Sequence, residues 1–179
     1  EIKHDQDELR TALDAGLKFQ CAVTNPPFSM TKELRNDTEA RILKQYDLAS
    51  IEGTSNFRRS LRSNAMFLER YYDLLENGGR LLSVIDDGLL AGNDFDFVRN
   101  MIREKFVIRG IISLPGDAFQ RSGARAKTSI LYLTKRGPRD TGASPMFLST
   151  NAATLGLMTL FFERGLVLPR ENALWPLER

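Results

Sequence analysis

The chain has 179 residues, 42% of them hydrophobic and 27% charged, which fits one globular domain and excludes a disordered, collagenous or coiled-coil chain. A formal charge of +2, from 25 basic and 23 acidic side chains, names no partner, and one cysteine with one histidine excludes a disulfide framework and argues against a metal site. No apolar run reaches the ~18 residues of a membrane helix and no secretory signal opens the chain, so a soluble, cytoplasmic domain is expected.

Residues 7–15 read as a short helix closed by Gly16, with His4 before it exposed and inert. Residues 18–24 (KFQCAVT) form a short apolar run halted by Asn25-Pro26-Pro27, the pattern of a buried strand that feeds a rigid loop and keeps Cys21 in the core. Residues 29–56 are polar, with one helix expected near 38–47. Arg58, Arg59 and Arg62 read as solvated helix-start residues. Residues 63–76 then set Met66, Phe67, Tyr71, Leu74 and Leu75 on one helical stripe, which should enter the core, and Asn77-Gly78-Gly79 should end the helix. A buried strand at 80–85, a helix at 94–105 and a strand at 106–114 follow. Asp86 and Asp87, at a strand end, read as turn residues beside the expected cleft. A Gly- and Arg-containing segment, 115–127, leads to a last strong strand at 128–134 (TSILYLT). Residues 140–179, broken by Pro145, Pro169 and Pro176, read as a tail or the start of a following element.

Alternating strands and helices predict an α/β fold: a mostly parallel sheet flanked by helices, with the last strand pair free to be antiparallel. Four strands leave a raw sheet edge, so self-association through that edge is expected. Charge is uneven along the chain. Residues 99–139 carry ten bases against Glu104 and Asp117, a local +8 that leaves −6 for the remainder. A basic third of this kind suits an anion-facing surface, with Arg121, Arg125 and Lys127 as candidate DNA contacts.

In open α/β sheets ligands collect beyond the carboxyl ends of the strands, which is where Asn25-Pro26-Pro27-Phe28 falls. Each proline fixes its own φ and restricts the residue before it, so the loop is stiff without outside help. The Asn25 carboxamide and the Pro26 carbonyl offer two acceptors, and Phe28 offers a flat apolar face. Two acceptors beside a ring make a receptor for a planar amine, such as the exocyclic amino group of a base.

Asn25-Pro26-Pro27-Phe28 resembles motif IV of the amino-group DNA methyltransferases, and its Asn-Pro-Pro-Phe form is similar to that of adenine-N6 enzymes, especially the modification subunit of type I restriction–modification systems. The resemblance extends through 65–90 (AMFLERYYDLLENGGRLLSVIDDGLL) and 106–136 (FVIRGIISLPGDAFQRSGARAKTSILYLTKR), and so covers about residues 18–136. Asp86-Asp87 stand where the family's strand usually runs into a proline. The family's Gly-rich cofactor loop and its ribose-binding acid, which precede motif IV, are not found in this sequence.

The resemblance implies part of a Rossmann-like class I S-adenosylmethionine-dependent methyltransferase fold, with residues 1–139 as the C-terminal half of the catalytic domain. It implies methyl transfer from S-adenosylmethionine to a flipped adenine, with catalytic roles for Asn25, Pro26, Pro27 and Phe28. Asn25 would also be the cofactor contact this chain retains, the rest of that pocket lying upstream of Glu1, so the chain alone should bind the cofactor weakly and transfer nothing. The implied partners are double-stranded DNA and the specificity and restriction subunits of a type I system. Two other readings compete: a glutamine-amide N-methyltransferase, whose loop usually ends in Tyr where this chain has Phe28, and a non-catalytic DNA-binding or assembly module.

Overall fold

A computed structural model describes residues 3, 8–28, 30–116, 118–119 and 127–140, together with the backbone of 148–151. Its elements in chain order are α1 (Glu8–Asp14), β1 (Phe19–Thr24), β2 (Thr31–Glu33), α2 (Asp37–Leu43), β3 (Ser60–Arg62), α3 (Ser63–Leu74), β4 (Leu75–Asp86), α4 (Asp87–Ala91), α5 (Asp96–Lys105), β5 (Phe106–Ser113), β6 (Thr128–Lys135) and β7 (Leu148–Asn151).

Five strands form one sheet in the order β1-β4-β6-β5-β7. β1 runs parallel to β4 and β7 parallel to β5, while β6 is antiparallel to both its neighbours, so four of the five strands point the same way. The expected antiparallel last pair is β5–β6. Its second member does not add to the outside, however, but slots between β4 and β5, pairing continuously from Arg80↔Thr134 to Asp86↔Thr128. The near-continuous burial of TSILYLTK is what such a central strand requires. β7 continues the sheet past residue 139, into the segment expected to be a tail.

The core lies against this sheet. Met66, Leu68 and Tyr71 of α3 and Val98, Met101 and Ile102 of α5 pack with Leu81, Ile85 and Phe106, and Phe67 is half-buried beside them. Helix α5 has Asp96 in its first turn and Arg103 and Lys105 in its last, the order the helix dipole favours. The helix expected near 38–47 is α2, capped by the Asn36 carboxamide, which accepts the Thr38 and Glu39 N–H groups at 3.1 and 3.2 Å; a separate 3-10 turn holds Asp47–Ala49.

Three local expectations are corrected. β1 is not buried: it is an edge strand, with Phe19 41% and Val23 70% exposed, and Cys21 is exposed rather than packed in the core. An apolar run at the sheet edge reads the same in sequence as one at its centre. Asn77-Gly78-Gly79 does not terminate α3, which has already ended at Leu74, but forms an irregularity inside β4. Gly78 takes φ +81° there, and the β1 register jumps from Phe19↔Leu75 to Cys21↔Arg80. Arg58 is not a solvated residue: its guanidinium lies 3.6 Å over the Phe97 ring and its Nε donates to the Leu48 carbonyl at 3.1 Å, whereas Arg59 and Arg62 are exposed.

At the amino end of the sheet, Glu69 accepts the Asp47 and Leu48 N–H groups at 3.0 and 2.9 Å and the Lys3 ammonium at 2.7 Å. Lys135 donates to the Tyr72 and Leu75 carbonyls at 2.7 and 2.8 Å, satisfying backbone acceptors at the end of α3. A cavity of about 500 Å³, lined by basic residues such as Lys3, Arg10 and Arg70 together with Asp14 and Asp73, opens at this end, away from the Asn-Pro-Pro loop.

Candidate active site

Because β1, β4 and β5 point the same way and β6 begins at the end of β4, Thr24, Asp86, Ser113 and Thr128 all stand at the carboxyl edge of the sheet. Asn25-Pro26-Pro27-Phe28 leaves β1 at this edge, the position at which open α/β sheets bind ligands. Asn25 and Pro27 are exposed, Pro26 is buried and Phe28 is half-buried. The loop is therefore anchored at Pro26, with Asn25 and Pro27 exposed on either side of it.

The root of the loop is polar and tied. The Thr24 hydroxyl donates to Ser83 Oγ at 3.0 Å across the parallel β1–β4 pair, and the Tyr71 side chain hydrogen-bonds to Thr24 from below. Burial pushes the Tyr71 phenol pKa up, and the bond to Thr24 offsets part of that rise. At the far end, β2 and β3 pair antiparallel from Thr31↔Arg62 to Glu33↔Ser60. Ser63 extends that ladder, its N–H donating to the Met30 carbonyl at 2.8 Å, and its hydroxyl donates to the Pro27 carbonyl at 2.7 Å.

Phe28 meets a second ring. Its centroid is 6.3 Å from that of Phe119, with the ring planes at 77°, an edge-to-face pair that leaves ring faces for a third planar group. Phe119 comes from the loop between β5 and β6, and so the insertion of β6 into the sheet brings this loop back to the end of β1.

Behind the loop lies a carboxylate pair held by neutral or basic partners. Asn64, 1% exposed, donates through Nδ2 to Asp86 Oδ2 and accepts the Ala65 N–H at 2.9 Å through Oδ1. Asp87 accepts the Ser129 hydroxyl at 2.6 Å and has the Lys127 ammonium at 3.7 Å, while its N–H donates to the Lys127 carbonyl at 2.9 Å. A side chain at Gly88 would come within 2.7 Å of Asp86 Oδ1, so glycine there leaves room for the carboxylate. The Thr128 hydroxyl, paired in register with Asp86, is buried with no hydrogen-bond partner among the described residues.

Asn25, Pro26, Pro27 and Phe28 lie on one loop at the carboxyl edge of the sheet, and Lys127 precedes β6 at the same edge, held to Asp87. Arg121 and Arg125 lie outside the described residues. Lys127 is exposed, so its contact with Asp87 contributes little stability and leaves the ammonium open to solvent anions. Sequence reasoning missed Ser63 and Asn64. Their signal is a polar pair at the very start of an apolar-striped helix, on the side that turns inward. Chemically the loop contains an exposed asparagine, a proline carbonyl and one ring of an aromatic pair, groups of the kind that can recognise a planar amine.

The fold is shared with solved methyltransferases. A Listeria monocytogenes protein described as a class I S-adenosylmethionine-dependent methyltransferase matches 82% of this chain at 22% identity and a TM-score of 0.60, over 42% of its own length. A Vibrio vulnificus protein described as a modification subunit of a type I restriction enzyme matches 85% at 16% identity and a TM-score of 0.55, over 32% of its length. The methyltransferase subunit of a Streptococcus thermophilus type I restriction–modification system matches 83% at 18% identity and 0.52, again over 32%. The chain therefore spans under half of each of these proteins. No curated protein sequence matches it. The sequence model of the N-6 DNA methylase family matches residues 2–153, which span the whole described fold, and the chain belongs to that family.

Proposed function

We propose that this chain carries the base-binding part of an adenine-N6 DNA methyltransferase that uses S-adenosylmethionine and works within a type I restriction–modification system. The observation that carries the reading is the exposed Asn25 beside the Pro26 carbonyl, on a doubly proline-stiffened loop at the carboxyl edge of β1, in a member of the N-6 DNA methylase family. Membership of a DNA methylase family favours a nucleobase over a glutamine amide as the planar amine.

The adenine amino nitrogen is a weak nucleophile because its lone pair is conjugated into the ring. Asn25 Oδ1 and the Pro26 carbonyl accept its two hydrogens, which favours a pyramidal nitrogen with a localised lone pair. The same acceptors stabilise positive charge as it develops on that nitrogen. Phe28 stacks on the base once it has left the duplex, and Phe119 holds the Phe28 ring edge-on.

The Asn25 carboxamide and the Pro26 carbonyl are neutral oxygen acceptors, a chemistry compatible with the reacting end of the cofactor, and Asn25 is the residue of this chain that would contact it. S-adenosylmethionine, when bound, supplies an electrophilic methyl group on a sulfonium. Lys127, with Arg121 and Arg125 of the same segment, supplies charge for phosphate contacts. The open edge of β1 suits pairing with a further strand. The specificity and restriction subunits are the proposed larger partners.

The experiment is methyl incorporation into unmethylated duplex DNA by the holoenzyme, followed by digestion to nucleosides. N6-methyl-2′-deoxyadenosine in the digest is the expected product. Label found on a protein glutamine, or nowhere, would reject the assignment.

A further inference from the structure

We infer that Ser63 is a positioning residue for methyl transfer, fixing the ψ angle of Pro27, a torsion inside the Asn-Pro-Pro-Phe loop that its prolines leave free. The inference rests on the base-binding role proposed for the loop, and it follows from counting the constraints on its backbone. The φ angles of Pro26 and Pro27 are locked by their rings. The ψ angles of Asn25 and Pro26 are restricted because a proline follows each. Pro27 is followed by Phe28, so its ψ has no such restriction. That torsion sets where the Pro27 carbonyl points, and with it the direction in which the chain carries the Phe28 ring away from Asn25 and the Pro26 carbonyl.

Ser63 supplies the missing constraint. Its hydroxyl donates to the Pro27 carbonyl at 2.7 Å, and the residue is only 2% exposed. It is itself immobilised from both sides. Its N–H donates to the Met30 carbonyl at 2.8 Å, and it is the first residue of α3, whose Ala65, Met66 and Leu68 are fully buried. The neighbouring Asn64 ties the same helix start to Asp86 at the end of β4. The start of α3 thus joins the β1 loop to the rest of the carboxyl edge.

A serine at a helix start ordinarily turns its oxygen back to accept N–H groups of its own first turn. Here the cap position belongs to Arg62, which makes no side-chain cap bond, and Ser63 directs its hydroxyl outward onto a residue 36 positions earlier. The hydroxyl is therefore committed to the loop and not to the helix.

The test compares Ser63→Ala, Ser63→Thr and Asn25→Ala in the holoenzyme, with kcat, the KM for S-adenosylmethionine and the thermal midpoint measured for each. Ser63→Ala deletes the hydroxyl and keeps the backbone bond to Met30; it should lower kcat about tenfold while the cofactor KM stays within about twofold. Ser63→Thr restores the hydroxyl and should recover most of that loss. A Ser63→Ala enzyme with wild-type kcat, or a Ser63→Thr enzyme as impaired as Ser63→Ala, overturns the inference. Should Ser63→Ala not fold, Ser63→Cys keeps the volume with a weaker donor: reduced kcat with unchanged cofactor KM supports the role, and wild-type kcat rejects it. Asn25→Ala separates the two levels. If it turns over normally, the base-binding role of the loop fails; if it is inactive while Ser63→Ala is normal, only the role of Ser63 fails.

Discussion

Asn64 and Asp86 are joined across the fold: a buried amide at the start of α3 donates to the carboxylate that ends β4. The bond connects the helix that clamps the candidate loop to the strand beneath it. Asn64→Ala leaves the half-buried Asp86 carboxylate short of a donor and should cost about 1–3 kcal/mol. Asn64→Asp sets two carboxylates against each other, so it should cost more at neutral pH and regain stability as the pair is protonated on acidification. Chemical denaturation of both variants at several pH values measures this; equal losses at every pH would contradict it.

Asn25 is exposed at the mouth of the site, so removing its carboxamide should leave the fold intact. Asn25→Ala should lower kcat about 10²–10³-fold, the scale for losing one group aimed at transition-state charge, with an unchanged thermal midpoint. Near-normal methyl incorporation would refute the assignment.

Phe28 should tolerate exchange of its ring better than loss. Stacking of a base on an aromatic side chain is worth about 1–3 kcal/mol, so Phe28→Ala should raise the KM for DNA by about 5- to 150-fold. Phe28→Trp should stay closer to the parent. Two variants of equal DNA affinity would assign Phe28 to packing against Phe119 alone.

Thr128 offers a stability test free of the chemistry. Its hydroxyl is buried without a partner among the described residues, in a central strand where β-branched side chains are favoured. Thr128→Val removes the unsatisfied oxygen at constant shape and should leave stability unchanged or raise it by about 1 kcal/mol. A clear drop in the thermal midpoint would show that the hydroxyl is in fact bonded.

Lys3 links stability to pH on the alkaline side. Burial alone lowers its pKa, but the hydrogen bonds and charges of Glu69 and Asp73 outweigh that and raise it above the usual 10.5. A raised folded-state pKa means that the contribution is fully present below the unfolded value and is lost as pH rises through the folded one. Lys3→Met should therefore weaken the protein at neutral pH and flatten its loss of stability at high pH. Parallel pH–stability curves for parent and variant would exclude this linkage.

The elements buried by local pattern were legible in the sequence. The apolar stripe of α3, the strands at Arg80, Phe106 and Thr128, and Asn25-Pro26-Pro27-Phe28 at a strand end all follow from periodicity and from proline stereochemistry. What sequence reading missed depends on distant partners. Whether an apolar run such as β1 is central or marginal depends on which strands flank it, and Cys21 reads alike in both settings. The slot taken by β6 is a choice of neighbours, which periodicity along one strand does not encode. The hydroxyl of Ser63 bonds a residue 36 positions away, so no local window contains the reason for it.

The central position of β6 also dictates the order in which the protein can acquire its structure. β4 and β5 are complete by Ser113, yet they do not touch each other in the sheet and wait for Thr128–Lys135 to bridge them. During synthesis the apolar flanks of both strands are therefore made before their shared neighbour leaves the ribosome. Such long-range pairing slows folding, because loop closure must precede the contacts that reward it. Nascent chains that stop short of Thr128 lack both β6 and β7, so they present three unmatched strand edges, one on β4 and two on β5, that are open to non-native pairing.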